Sequence, residues 1–276
     1  MAKLKYTFKT DTLFKMLFVR YPDLLKKLVA VLLGISHDSI EHFEIRNPEM
    51  PPEIIDGKFC RLDISMTVDG QRVDLEVQVK DENDYPDRSL YYWARDFSTA
   101  ISDGEDYALL PRTILISIVN FSLFDCTEFH SEFRALEVSR HTQLTDKMSL
   151  HYFELPKLPT VIDKDSNLLL WLSLFNANTE EDFKRIEALE VPDMKQAIGA
   201  YRQVRSAEEL EYVERMLSRA RHNEAAALRH AKDEEREKWQ NVVAEKDAVI
   251  SETYAVISEK DALIAELQAR LEEKKG

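Results

Sequence analysis

The sequence predicts an α/β (α+β) fold: a mixed central sheet flanked by helices, followed by a long helical tail. Three observations carry that expectation. The stretch "VDLEVQVK" at 73–80 alternates apolar and polar residues without a fault, and Asp69-Gly70 joins it to the alternating run "DISMTV". An Asp-Gly step between two such runs marks a β-hairpin with a two-residue type I′ turn. "RTILISIVNF" at 112–121 is a continuous β-branched run, the pattern of a strand covered on both faces. A helical stretch lies between the two, which points to a crossover and hence a mixed sheet. From about residue 166 the pattern is helical, and no Gly or Pro interrupts residues 200–275.

Taken in order, residues 11–33 read as an amphipathic helix. Asp11 or Thr10 is the N-cap, Leu13, Phe14, Leu17, Phe18, Leu24 and Leu25 supply the apolar face, and Gly34 is the stop. Pro22 is a point where it can split. "SIEHFEIRN" (39–47) reads as a short strand and "NPEMPPE" as a loop. Residues 59–80 form the hairpin, 87–104 a helix from Asp87 to Gly104, and "LHYFEL" (150–155) a further strand. The expected organisation is a domain at 1–160, a helical extension at 161–204 and a tail at 205–276. In the tail "EKDAVI" (245–250) returns as "EKDALI" (259–264), and Ile250, Ile257, Ile264 and Leu271 recur every seven residues. That is a coiled-coil seam, imperfect because Lys246, Thr253 and Lys260 fall at its second core position. A self-associating helix and a solvated single helix both fit it.

Composition narrows the classes. No run of eighteen apolar residues exists, so no membrane-spanning helix is expected, and "MAKLKYTFKTD" lacks the apolar core of a secretory signal. Cys60 and Cys126 lie far apart, as reduced thiols of a cytoplasmic protein would. The seven histidines form no zinc-ligand spacing. A net charge of −14 argues against a phosphate partner, but residues 1–30 carry seven Lys or Arg against two Asp, so a local cleft can differ from the whole.

The hairpin carries the chemistry. With a two-residue turn, Ser65 faces Asp74, Asp63 faces Glu76, Arg61 faces Gln78 and Phe59 faces Lys80. One side is then a core face from Leu62 to Val79, and the other holds Arg61, Asp63, Ser65, Asp74, Glu76 and Gln78. Carboxylates directly opposed on antiparallel strands have β-carbons roughly 5 Å apart and repel. Arg61, a raised pKa on one acid, or a divalent cation would each offset this, and an all-oxygen site suits Mg²⁺ or Mn²⁺ over zinc. An exposed hairpin face with an Arg61 ion pair is the plainer alternative. Tyr91, Tyr92 and Trp93 stand at consecutive positions of the next helix and so point in different directions, which sends at least one of them into the core.

An acid on one strand and Glu-x-(Lys/Gln) on the next, between two helices, resembles the PD-(D/E)XK nuclease fold. Four stretches sharpen the likeness: "TDTLFKMLF" (10–18), "CRLDISMTVDGQRVDLEVQVK" (60–80), "RSLYYWARDFSTAISDGEDY" (88–107) and "PRTILISIVNFSLF" (111–124). Over residues 8–155 the chain resembles the PD-(D/E)XK family transposases, also called recombination-promoting nucleases (Rpn). The resemblance implies a restriction-endonuclease-like core and a Mg²⁺- or Mn²⁺-dependent DNA endonuclease. It makes Asp63 and Glu76 the metal-binding acids. Gln78 stands where much of the wider fold keeps lysine, although Glu-x-Gln is usual in this branch. Lys80, on the same face, would supply the missing charge. Asp11 and Lys15 match the family's helix motif D-x-x-F-K. The implied partners are DNA and, through the C-terminal helix, further copies of the chain, with no membrane. A nuclease-fold scaffold that binds DNA or a partner without cutting is the competing expectation.

Overall fold

The computed structural model describes residues 3–46, 54–55, 58–59, 64–102, 104–206 and 208–273. Two compact units divide the chain, Met1–Arg215 and Met216–Gly276. In the first, helices α1 (Asp11–Arg20) and α2 (Pro22–Leu33) precede strand β1 (Phe43–Ile45) and a two-stranded ribbon, β2 (Ile54–Ile55) with β3 (Lys58–Phe59). The hairpin β4 (Ile64–Val68) and β5 (Gln71–Gln78) follows, then α3 (Tyr85–Ser98) and β6 (Thr113–Val119). Next come β7 (His130–Phe133), β8 (Met148–Glu154) and helices α4 (Asn167–Asn176), α5 (Glu180–Glu187) and α6 (Pro192–Arg205). Helix α7 runs from Glu208 to Glu273.

Six strands form one sheet in the order β1-β4-β5-β6-β8-β7. The β5–β6 and β6–β8 pairs are parallel and the other three antiparallel, so the sheet is mixed, as the intervening helix requires. Asp69 and Gly70 sit at φ 47° and 78°, the left-handed pair that a type I′ turn needs. The resulting register sets Ser65 against Asp74 and Val68 against Gln71. All seven β6 residues are buried, as their unbroken apolar run predicts.

Several expected boundaries move. Helix 11–33 divides at Tyr21, where Pro22 opens α2. The helix expected at 87–104 spans 85–98. Pro86 occupies its first turn, and at its end Ser98 and Thr99 hydroxyls bond back to the carbonyls of Arg95 and Asp96. Phe59 does not face Lys80: it pairs with Ile54 in the separate ribbon. Cys60, Arg61, Leu62 and Asp63 lie outside the described residues.

The sheet is covered on both faces. Val73, Leu75, Ile114 and Ile116 belong to one large core with α1, α2, α4, α5 and α6; segment 161–204 thus packs into the same core as the sheet. On the other face Leu115, Val119, Leu150 and Tyr152 cluster with Tyr85 of α3. Burying each such aliphatic or aromatic side chain contributes about 1.5–3 kcal/mol. In the second unit Val249, Ile250, Val256, Ile257, Leu263 and Ile264 stay about half exposed along the helix. No described helix is long and apolar enough to cross a membrane.

Candidate active site beneath the crossover helix

Period-two alternation sends Leu75 into the large core and Glu76 to the α3 face. The β5–β6–β8 register then aligns Glu76 with Ser117 and Ser117 with Tyr152. A polar row therefore crosses the sheet at one level, beneath α3. Tyr85, in the first turn of α3, brings its hydroxyl 2.8 Å from Glu76 Oε2 and 2.9 Å from Ser117 Oγ. Ser89, one turn later, lies 2.5 Å from the Tyr152 hydroxyl. Rather than an exposed hairpin face, this is an interior one: Glu76 is 3% and Gln78 7% exposed. The crossover helix that makes the sheet mixed is also what shuts water away from it.

A buried carboxylate needs opposite charge or several donors to stay ionised. Among the described residues Glu76 has one hydrogen-bond partner, the Tyr85 hydroxyl on Oε2, and no ion pair. Its Oε1 has no hydrogen-bond partner among the described residues. That environment fits an oxygen-binding hard cation, with Glu76 as one of its ligands. Among the described residues no three His, Cys, Asp or Glu converge on one point, and Asp63 lies outside that set.

Two residues before Glu76, Asp74 enters a different network. Ser65, its cross-strand partner, donates to Asp74 Oδ1, and Arg46 Nη2 lies 3.4 Å from the same oxygen. Arg46 is held by Asp96 of α3 through bonds of 2.8 and 2.9 Å, while Arg72 bonds the Asp96 carbonyl at 2.7 Å. Burial, with the Asp96 charge adding to it, pushes the Asp74 carboxyl up to about 6 against the pull of Ser65 and Arg46. Since the folded value exceeds the ordinary 3.8, the group's contribution to stability is full below about pH 4 and is lost as pH rises through about 6. Asp74→Asn stays neutral throughout. It is expected to gain on wild type by roughly 2–3 kcal/mol between pH 4.5 and 7.5 in denaturant unfolding. A pH-independent gap would refute the assignment.

The remaining sequence candidates sit as follows. Gln78 closes β5 on the same face as Glu76, its Nε2 donating to the Lys80 carbonyl at 2.7 Å. Lys80 lies just past the strand end and is exposed. Asp11 is exposed at the first position of α1, after the N-cap Thr10, in the layer on the other face of the sheet; Lys15 is buried in that helix. Trp93 packs rather than reaching outward: its Nε1 donates to the Thr113 carbonyl at 2.8 Å and its ring stacks on Phe97 at 5.0 Å. Tyr91 is exposed. Sequence reasoning missed Tyr85, Ser117, Tyr152, Arg46 and Asp96, which join the site through register and crossover; the only sequence signal was the two-sided burial implied by the 112–121 run.

Comparison with known proteins identifies a family. The family model for PD-(D/E)XK nuclease family transposases covers residues 8–231. No curated protein and no solved structure matches the chain. The family supports a nuclease-type function, that of a hydrolase acting on nucleic acid, and its members generally use divalent metals. A match over more than half of the 276 residues, on a helix-flanked mixed sheet with a buried Glu76 beneath its crossover, leaves one conclusion: the chain belongs to the PD-(D/E)XK nuclease family transposases.

Proposed function

We propose that the protein is a cytoplasmic Mg²⁺- or Mn²⁺-dependent DNA endonuclease of the recombination-promoting type, hydrolysing phosphodiester bonds. The observation that carries this is Glu76, a buried carboxylate whose one partner among the described residues is a tyrosine hydroxyl. Asp63 and Glu76 would hold the cation, which when bound lowers the pKa of a water and neutralises a phosphate oxygen. Tyr85 fixes Oε2 and thereby the rotamer of Glu76. The Gln78 amide positions a water or phosphate oxygen by hydrogen bonds, and Lys80, exposed beyond the strand end, supplies positive charge to the phosphate. Asp11 takes part from the N-terminus of α1. Plasmid nicking in Mg²⁺ or Mn²⁺ by wild type and by Asp63→Ala and Glu76→Ala tests the proposal.

A second reading, a weakly active or inactive scaffold that binds DNA or a partner, is favoured by one observation. Gln78 stands in place of a lysine and turns its amide nitrogen to the backbone. Retained DNA binding without cleavage in either metal would decide for it.

In either case the heptad-spaced apolar residues of the tail would assemble copies of the chain. Deleting residues 216–276 is expected to lower the oligomeric state; an unchanged number of chains per particle by light scattering would overturn that part.

A further inference from the structure

On the other face of the sheet lies a cavity of about 410 Å³, within the size range of small-molecule sites. Gln71, the first residue of β5, and Arg112, just before β6, line it, as does His151, which is aligned through Ile116 with Leu75. Glu76 is five residues further along β5 than Gln71 and points to the opposite face. The cavity therefore shares no lining residue with the candidate active site.

Its walls divide by chemistry. Val31, Leu33 and Ile35 from the end of α2, with Leu168 of α4, make an apolar side. The α2 terminus adds little charge, because the Ile35 and Gly34 amides already cap the carbonyls of Ala30 and Val31. Facing it is a hydrogen-bonded chain. His130 Nε2 lies 3.1 Å from His151 Nδ1, His151 Nε2 2.8 Å from Ser149 Oγ, and Ser149 Oγ 2.8 Å from Glu132 Oε1. With Glu132 ionised and able only to accept, the donors run one way. Ser149 gives its proton to Glu132, His151 Nε2–H gives to Ser149, and His130 Nε2–H gives to His151. Burial pushes His151 down to about 4 and lowers His130 also, so both imidazoles are neutral at pH 7.

What remains charged are Glu132, Arg134 and Arg112. Arg134 Nε neutralises Glu132 at 2.6 Å. Its terminal amino groups make no bond among the described residues. Arg112 has no carboxylate partner there, and its Nε is buried without an acceptor. The cavity thus carries one uncompensated guanidinium and unused donors on one side, and aliphatic surface on the other.

We propose that this cavity is a binding site for a small amphiphilic acid: a carboxylate or phosphate monoester head on Arg112 and Arg134, and a short apolar body against Val31, Ile35 and Leu168. A planar guanidinium fork suits either head.

Calorimetric titration of the full chain uses octanoate, octyl phosphate, octanol and acetate as probes. At least one of the two acids saturates one site per chain, and whichever binds more tightly identifies the head group. Octanol and acetate each bind about tenfold more weakly or worse. Arg112→Gln weakens the acid by about tenfold with an unchanged melting temperature. Ile35→Glu, at a 41% exposed position on the rim, also weakens it by placing like charge at the mouth. Octanol binding as tightly as octanoate, absence of saturation by either acid, or full affinity in Arg112→Gln would each overturn the proposal. None of these outcomes bears on DNA cleavage, because Glu76 and Gln78 face the opposite side of the sheet from the cavity.

Discussion

Glu76→Ala is expected to reduce Mg²⁺-dependent nicking of supercoiled plasmid by at least about 100-fold, and Asp63→Ala by a similar factor. A bound cation contributes several kcal/mol of transition-state charge stabilisation, and each 1.36 kcal/mol is a factor of ten. With Asp63 and Glu76 as the proposed ligands, losing either carboxylate removes most of that. Glu76 is buried and bonded to Tyr85, so its removal also relieves the cost of burying a polar group that has one partner among the described residues. Glu76→Ala is therefore expected to melt no lower than a few degrees below wild type while being inactive. Glu76→Gln keeps the volume and the Tyr85 contact, and it should be equally inactive if charge is what matters. Comparable cleavage by wild type and all three variants would trace the activity to a contaminant and sink the assignment.

Phe8→Ala is expected to destabilise the first unit by about 3–5 kcal/mol, the usual cost of truncating a fully buried phenylalanine. That is a large share of the about 5–15 kcal/mol that holds an ordinary domain together. Phe8 is fully buried; it stacks on Tyr201 at 5.2 Å and meets Phe175 and Phe183 edge-on at 5.7 and 6.0 Å. Its partners are thus on α4, α5 and α6, not on the sheet alone. If residues 1–160 formed a self-sufficient domain, the loss would be far smaller and residues 1–160 would fold without the rest. Urea unfolding of Phe8→Ala alongside that fragment separates the two outcomes: a loss under about 1 kcal/mol, with a cooperatively folding fragment, would contradict the packing argument.

Part of this was legible in the sequence because it is local. Asp69-Gly70 fixes the hairpin within two residues, and the unbroken 112–121 run fixes β6. Glu76 stood out for the same reason, as an acid at a set distance from that turn. Strand β7 escaped notice because His130–Phe133 is a four-residue edge strand with no alternation to read. The cover over the acidic face was not legible for a deeper reason. Polar residues at every second position say solvent, and nothing within β5 reveals that α3 lies across them. Tyr85 meets Glu76 only because the chain crosses over and returns in parallel, a nonlocal event that spacing along one strand does not encode.

The contacts of Phe8 also bear on biosynthesis. The first phenylalanine of the sequence finds its last partner 193 residues later, at Tyr201, so the N-terminal half cannot complete its interior until α6 has been made. Closing so long a loop is entropically costly, and apolar surface stays open while synthesis continues. The 61 residues from Met216 to Gly276 then take about 3–12 s to add at usual elongation rates. The core thus has time to close on the ribosome before the segment that would join one copy to another is complete.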